Sequence, residues 1–148
     1  MDERMNTPIS ILLVDDNCDD VELTREALQD SKLAIQLNHV EDGVEALAYL
    51  RKQGKYSAAK RPDLILLDLN MPRKDGRQVL EEIRADTALE DLPVVILTTS
   101  GAEEDIMRSY KSHVNCYIQK PVDFNQFIKV VDAIQEFWFT IVKLPPRH

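Results

Sequence analysis

Five short apolar runs alternate along the chain with longer stretches whose apolar residues recur at helical spacing, and no other feature restricts the fold as severely. The runs are Ile9 to Val14, Ile35 to Val40, Leu64 to Leu69, Val94 to Thr98 and Cys116 to Gln119. Three of them are apolar almost throughout, as strands covered on both faces must be. The second alternates, which places it nearer an edge. Strands and helices taking turns in this way predict an α/β fold: a doubly wound, five-stranded parallel sheet of (βα)5 type.

Helical stripes fill the intervals. Val21, Leu23, Ala27 and Leu28 mark a first helix, Val44, Leu47, Ala48 and Leu50 a second, and Val79, Leu80 and Ile83 a third. Ile106, Met107 and Tyr110 give the fourth a thin stripe behind Glu103, Glu104 and Asp105, whose negative charge suits a helix N-terminus. The fifth begins near Asp123 and carries Phe124, Phe127, Ile128, Val131 and Ile134. No repeat, linker or shift of composition divides the 148 residues, a length that suits one core. The expectation is a single domain over residues 1–148 with a short N-terminal tail and an extended C-terminal helix and tail. Residues 51–62 read as a surface loop whose basic residues form a solvated face.

Charge and cysteines narrow the function classes. Lys and Arg number 18 against 26 Asp and Glu, and the resulting net charge of −8 repels nucleic-acid phosphates and anionic lipid. No apolar run is long enough to span a membrane, and the charged opening Met1-Asp2-Glu3-Arg4 lacks the stretch of a signal peptide. Cys18 and Cys116 form neither a CxxC pair nor a disulfide framework. A cytoplasmic protein with no direct nucleic-acid or membrane partner is expected.

Ligands of parallel α/β sheets bind outside the carboxyl ends of the strands, and this sequence makes that rim acidic. The first strand ends in Asp15-Asp16, the third in Asp68, the fourth in Thr98-Thr99 and the fifth in Lys120-Pro121. Singly, each residue has a plain structural reading: a helix cap, a turn former, a strand threonine, a solvated lysine. Together they form a complementary set, and crowded carboxylates require a cation to offset their repulsion. Oxygen donors without His or Cys favour Mg²⁺ or Mn²⁺, and such an ion completes its shell with phosphate oxygens. A phosphoryl group is the natural second ligand, with Lys120 and Thr98 supplying charge and a hydrogen bond.

The strings Ile11-Leu-Leu-Val-Asp-Asp-Asn17, Leu64-Ile-Leu-Leu-Asp-Leu-Asn-Met-Pro72 with Asp75-Gly76, Leu97-Thr98 and Tyr117-Ile-Gln-Lys-Pro121 resemble the receiver domain of two-component response regulators. The likeness runs from about Ile9 to Phe137 and implies a stand-alone receiver with a flavodoxin-like sheet. It also implies that Asp68 accepts a phosphoryl group from a histidine kinase. Asp16, Asp68 and the Asn70 carbonyl would ligate Mg²⁺, Asp15 acting through a water. Lys120 and Thr98 would bind the phosphoryl oxygens, Tyr117 would follow Thr98 as a switch, and the Lys120-Pro121 peptide would be cis. Thr99 is bulkier than the usual neighbour of that threonine, which implies altered access to Asp68. The 51–62 loop, Leu97-Thr-Thr-Ser100 and Phe137-Trp138-Phe139 are similar to the small response regulators of cyanobacterial phytochromes, implying a phytochrome kinase as donor and light signalling.

Other readings differ in class. An aspartate-nucleophile phosphatase requires a second Asp where this chain has Asn70, and a flavodoxin-like cofactor binder requires a Gly-rich loop after the first strand. A degenerate receiver serving as a constitutive interaction module would not need the intact acid pair, acceptor, threonine and lysine. Finally, the fifth helix continues its stripe through Trp138, Ile141 and Val142, widened by Val130, Phe137 and Phe139. That face is more than one sheet covers, so a homodimer through it is expected, set against a fold-back or a frayed tail.

Overall fold

The computed structural model describes residues 9–29, 34–69, 71, 74–99, 116–123 and 125–129. The five apolar runs are five strands: β1 Ile9–Val14, β2 Ile35–Val40, β3 Leu64–Asp68, β4 Val94–Thr98 and β5 Cys116–Gln119. They pair in parallel throughout, in the order β2-β1-β3-β4-β5. The three runs without alternation are the three interior strands, and the alternating second run is an edge. β3 stops at Asp68, one residue before the expected end.

Because side chains alternate across a strand, a strand buried on both faces feeds two cores. Leu12, Val14, Ile65, Leu67, Val94 and Ile96 point to one side, where they meet α2 (Gly43–Leu50) and α3 (Gly76–Ala85) through Leu47, Leu50, Val79, Leu80 and Ile83. Ile11, Leu13, Leu64, Leu66, Val95 and Leu97 point to the other, against α1 (Cys18–Gln29) through Val21 and Leu28, and against Phe127 of a helical segment over residues 125–129. The sheet is doubly wound, as the pattern required.

Two helical stripes are corrected. On α1 the core positions are Val21, Thr24 and Leu28, while Leu23 is 48% exposed. At 100° per residue Leu23 stands about 200° from Val21, so Thr24, three residues on, takes the inward place. On α2 the inward set is Gly43, Ala46, Leu47 and Leu50, and Val44 is 40% exposed. Helix starts follow side-chain caps. Asn17 accepts from the Asp19 and Asp20 amides, Asp42 from Glu45, and Asp75 forms a reciprocal capping box with Gln78. Asp123 likewise accepts from the Gln126 amide, where the fifth helix was expected to begin.

The fourth helix with Ile106, Met107 and Tyr110 lies outside the described residues. So do Asn70, Phe124, Val130, Phe137, Trp138, Phe139, Ile141 and Val142, and with them the dimer face.

Candidate functional site

β1 and β3 are neighbours whose following connections leave to opposite sides of the sheet, so a crevice opens at their carboxyl ends. Asp15 and Asp16 follow β1, and Asp68 closes β3. Their carboxylate oxygens offer three donor atoms that all lie within 4.8 Å of one another. Asp15 is fully buried and Asp68 is 3% exposed, whereas Asp16 faces solvent. One Asp15 oxygen, Oδ1, accepts from the Asn17 amide at 3.0 Å. The other, Oδ2, is buried and faces the Lys120 ammonium at 3.0 Å. Three carboxylates this close, two of them buried, fit a hard divalent cation, whose preference is for oxygen donors.

Lys120 brings the counter-charge. Its amide donates to the Thr98 carbonyl at 2.7 Å, which fastens the end of β5 beside the end of β4. The peptide to Pro121 is cis. From there Nζ reaches Asp15 Oδ2 at 3.0 Å, Asp20 Oδ2 at 3.0 Å and Asp68 Oδ1 at 3.2 Å. Burial alone would lower the lysine's pKa, but the hydrogen bond to Asp20 and the charges of Asp68 and Asp15 outweigh it and raise it. The surrounding carboxylates therefore favour the charged ammonium. Thr98, 2% exposed, ends β4 beside the Asp68 pairing with Leu97.

α3 is brought hard against the same rim. A Cβ at Gly76 would stand 2.5 Å from the Asp68 carbonyl oxygen, so only glycine lets the helix begin there, and its amide donates to the Leu69 carbonyl at 3.0 Å. Tyr117 is half-buried on β5, packed against the α2–α3 side of the core. Thr99 is exposed.

The structure thus brings Asp15, Asp16, Asp68, Thr98 and Lys120 to one rim. Two residues there were not singled out from the sequence. Asp20 is the third residue of α1, and the cap at Asn17 was the signal that such a residue faces the rim. His39 places Nε2 2.7 Å from the Asp15 carbonyl oxygen, tying β2 to the acid turn. An isolated histidine in a strand carries no such signal.

A doubly wound sheet with an acid-lined switch point and one lysine defines a site for a hard cation and an anionic group held together. Residues 11–132 match the response regulator receiver domain, and the chain belongs to that family. It is 46% identical over 145 residues to response regulator Rcp1 of Synechocystis sp., covering 98% of this chain and 99% of that one. Among solved structures it resembles the bacteriophytochrome response regulator AtBRR, with 42% identity, a TM-score of 0.83 and coverage of 89% of this chain and 96% of that one. It also resembles the phosphorylated cyanobacterial phytochrome response regulator RcpA, with 51% identity, a TM-score of 0.73 and coverage of 90% and 96%. Rcp1 has itself been crystallised in a Mn²⁺-bound form, which superposes with a TM-score of 0.71 at 46% identity over 93% of this chain and 99% of that one. Among the described residues no helix is long and apolar enough to cross a membrane.

Proposed function

We propose that this receiver accepts a phosphoryl group on Asp68 from a phytochrome-type histidine kinase, and that it signals through a protein surface rather than by turning over a substrate. The observation that carries the reading is Lys120 Nζ standing 3.2 Å from Asp68 Oδ1 at the edge of the three-acid cluster. An Asp68 oxygen attacks phosphorus, the P–N bond to the donor imidazole breaks, and the departing nitrogen keeps the electron pair and remains on the kinase as neutral histidine. Lys120 answers the negative charge that arrives, its charged form favoured by the carboxylates around it. Thr98 lies at the neighbouring strand end, within the same rim, to hydrogen-bond a phosphoryl oxygen. Asp15, Asp16 and Asp68 would hold Mg²⁺, with Asn70 completing the set through its carbonyl. Bound there, the ion supplies the positive charge that lets an anion approach a cluster of carboxylates.

Tyr117 is the proposed relay from Thr98 to the surface, and Val130, Phe137, Trp138, Phe139, Ile141 and Val142 the proposed homodimer face. Both cysteines are free, which suits the cytoplasm in which we place the chain. We treat residues 1–148 as one domain. The test is intact-mass measurement after incubation with Mg²⁺ and acetyl phosphate, followed by peptide mapping. One phosphoryl group on Asp68, absent in Asp68→Asn, supports the reading; an unmodified chain or a label elsewhere overturns it. Sedimentation of the whole chain and of a truncation after Glu136 tests the dimer, which a monomeric full-length chain at high micromolar concentration contradicts.

A further inference from the structure

We infer that Asp20 is a positioning residue that competes with the phosphoryl group for Lys120 and so sets how tightly the site holds that group. The inference rests on the phosphoacceptor reading above. An ammonium has three N–H donors, and here three carboxylates surround it: Asp15, Asp20 and Asp68 at 3.0, 3.0 and 3.2 Å. Their fates differ once the site is charged. Asp15 and Asp68 belong to the cation-binding set, and Asp68 also forms the new bond to phosphorus. Asp20 belongs to neither. It holds Lys120 through a hydrogen bond at 3.0 Å.

The contact is also built to open. Asp20 sits in the first turn of α1, its amide held by the Asn17 side chain at 3.1 Å, so its backbone is fixed. Its side chain is 29% exposed, against 0% for Asp15 and 4% for Asp68, so water can take over its carboxylate when Lys120 turns away. When an anion arrives, Lys120 must leave Asp20 or share itself, and the Asp20 charge repels the newcomer. Replacing that carboxylate by an amide of the same shape removes both penalties. At the nearly water-like dielectric around a partly exposed carboxylate, one unit charge about 4 Å away corresponds to roughly a five- to tenfold change in anion affinity.

The experiment uses the whole chain and beryllofluoride as an inert phosphoryl mimic, titrated calorimetrically at saturating Mg²⁺, with Mg²⁺ titrated separately. Asp20→Asn is expected to bind beryllofluoride roughly five- to tenfold more tightly while its Mg²⁺ affinity stays level or falls. Asp20→Ser, a second uncharged variant suited to a helix start, should behave alike. Asp20→Glu, which keeps the charge, should bind as the parent does. A purely structural role would weaken both ligands together in the uncharged variants. Beryllofluoride binding that is equal or weaker in both uncharged variants, with the parent binding normally, overturns this inference alone. A parent chain that binds no beryllofluoride and takes no phosphoryl group from acetyl phosphate overturns the functional reading, and the role of Asp20 with it.

Discussion

Two regions of this molecule gather charge, and they are built on opposite plans. In the 51–62 loop, Arg51 lies 3.7 Å from Glu82 and 3.5 Å from Asp86, Lys55 lies 3.1 Å from Glu45, and Arg61 lies 2.6 Å from Asp91. Each of these three cations meets at least one acid, and water reaches the pairs. Tyr56 donates to Glu45 at 2.9 Å, and with Lys55 it holds that carboxyl below its usual pKa, which pins the loop to α2. At the rim, by contrast, Asp15, Asp20 and Asp68 crowd one lysine, with Asp16 alongside, and two of these four carboxylates, Asp15 and Asp68, are buried. A self-neutral cluster near water fastens a surface. A buried cluster with surplus negative charge is a structural liability, and it makes sense only if a further cation and an anion come to it.

Lys120→Met breaks that contrast most severely. It strands Asp15, Asp20 and Asp68 without their cation, and urea denaturation at pH 7 should show a loss of about 3 kcal/mol, largely restored by Mg²⁺. The pH dependence has a definite sign. The folded pKa of Lys120 lies above its unfolded value, so its contribution is fully present below about pH 10.4 and is lost as pH rises through the folded value. Parent stability should therefore fall on raising the pH above that point, with a slope that Lys120→Met lacks. Identical slopes would contradict the placement of the lysine.

A smaller effect isolates the metal. Mg²⁺ at about 100 times its dissociation constant should stabilise the parent by about 2.7 kcal/mol. Asp16 is exposed, so Asp16→Ala should match the parent to within about 0.5 kcal/mol without metal, and should lose the Mg²⁺ response. A retained response would remove Asp16 from the site. The smallest effect belongs to the loop: Arg61→Ala should cost about 0.5 kcal/mol in denaturant titrations and leave phosphorylation from acetyl phosphate unchanged. A large change in the labelling rate would mean the two regions are coupled.

Much of this was legible in the sequence, for identifiable reasons. Strand positions follow from burial on two faces, which Leu12 and Leu13 or Leu66 and Leu67 announce by being apolar in succession. The edge position of β2 follows from Gln36, Asn38 and His39 interrupting its apolar residues. Leu23 and Val44 misled because apolar side chains also occupy exposed helix positions, while inward Thr24 and Gly43 carry no hydrophobic signal. Gly43 is inward because a Cβ there would stand 2.4 Å from the Lys74 carbonyl oxygen, a contact between elements distant in the chain. At the site, strand-end residues were readable because the sheet places all its carboxyl ends together. His39 was not, since its role depends on a cross-strand reach, and for Asp20 the pointer was the Asn17 cap three residues earlier.

The central claim is that the acid surplus at the rim exists for a cation that admits a phosphoryl group. Its most direct test is intact-mass measurement of acetyl phosphate labelling across a Mg²⁺ titration that starts in EDTA. The account predicts no label in EDTA and a single phosphoryl group per chain that rises and saturates with Mg²⁺. Undiminished labelling in EDTA would contradict it.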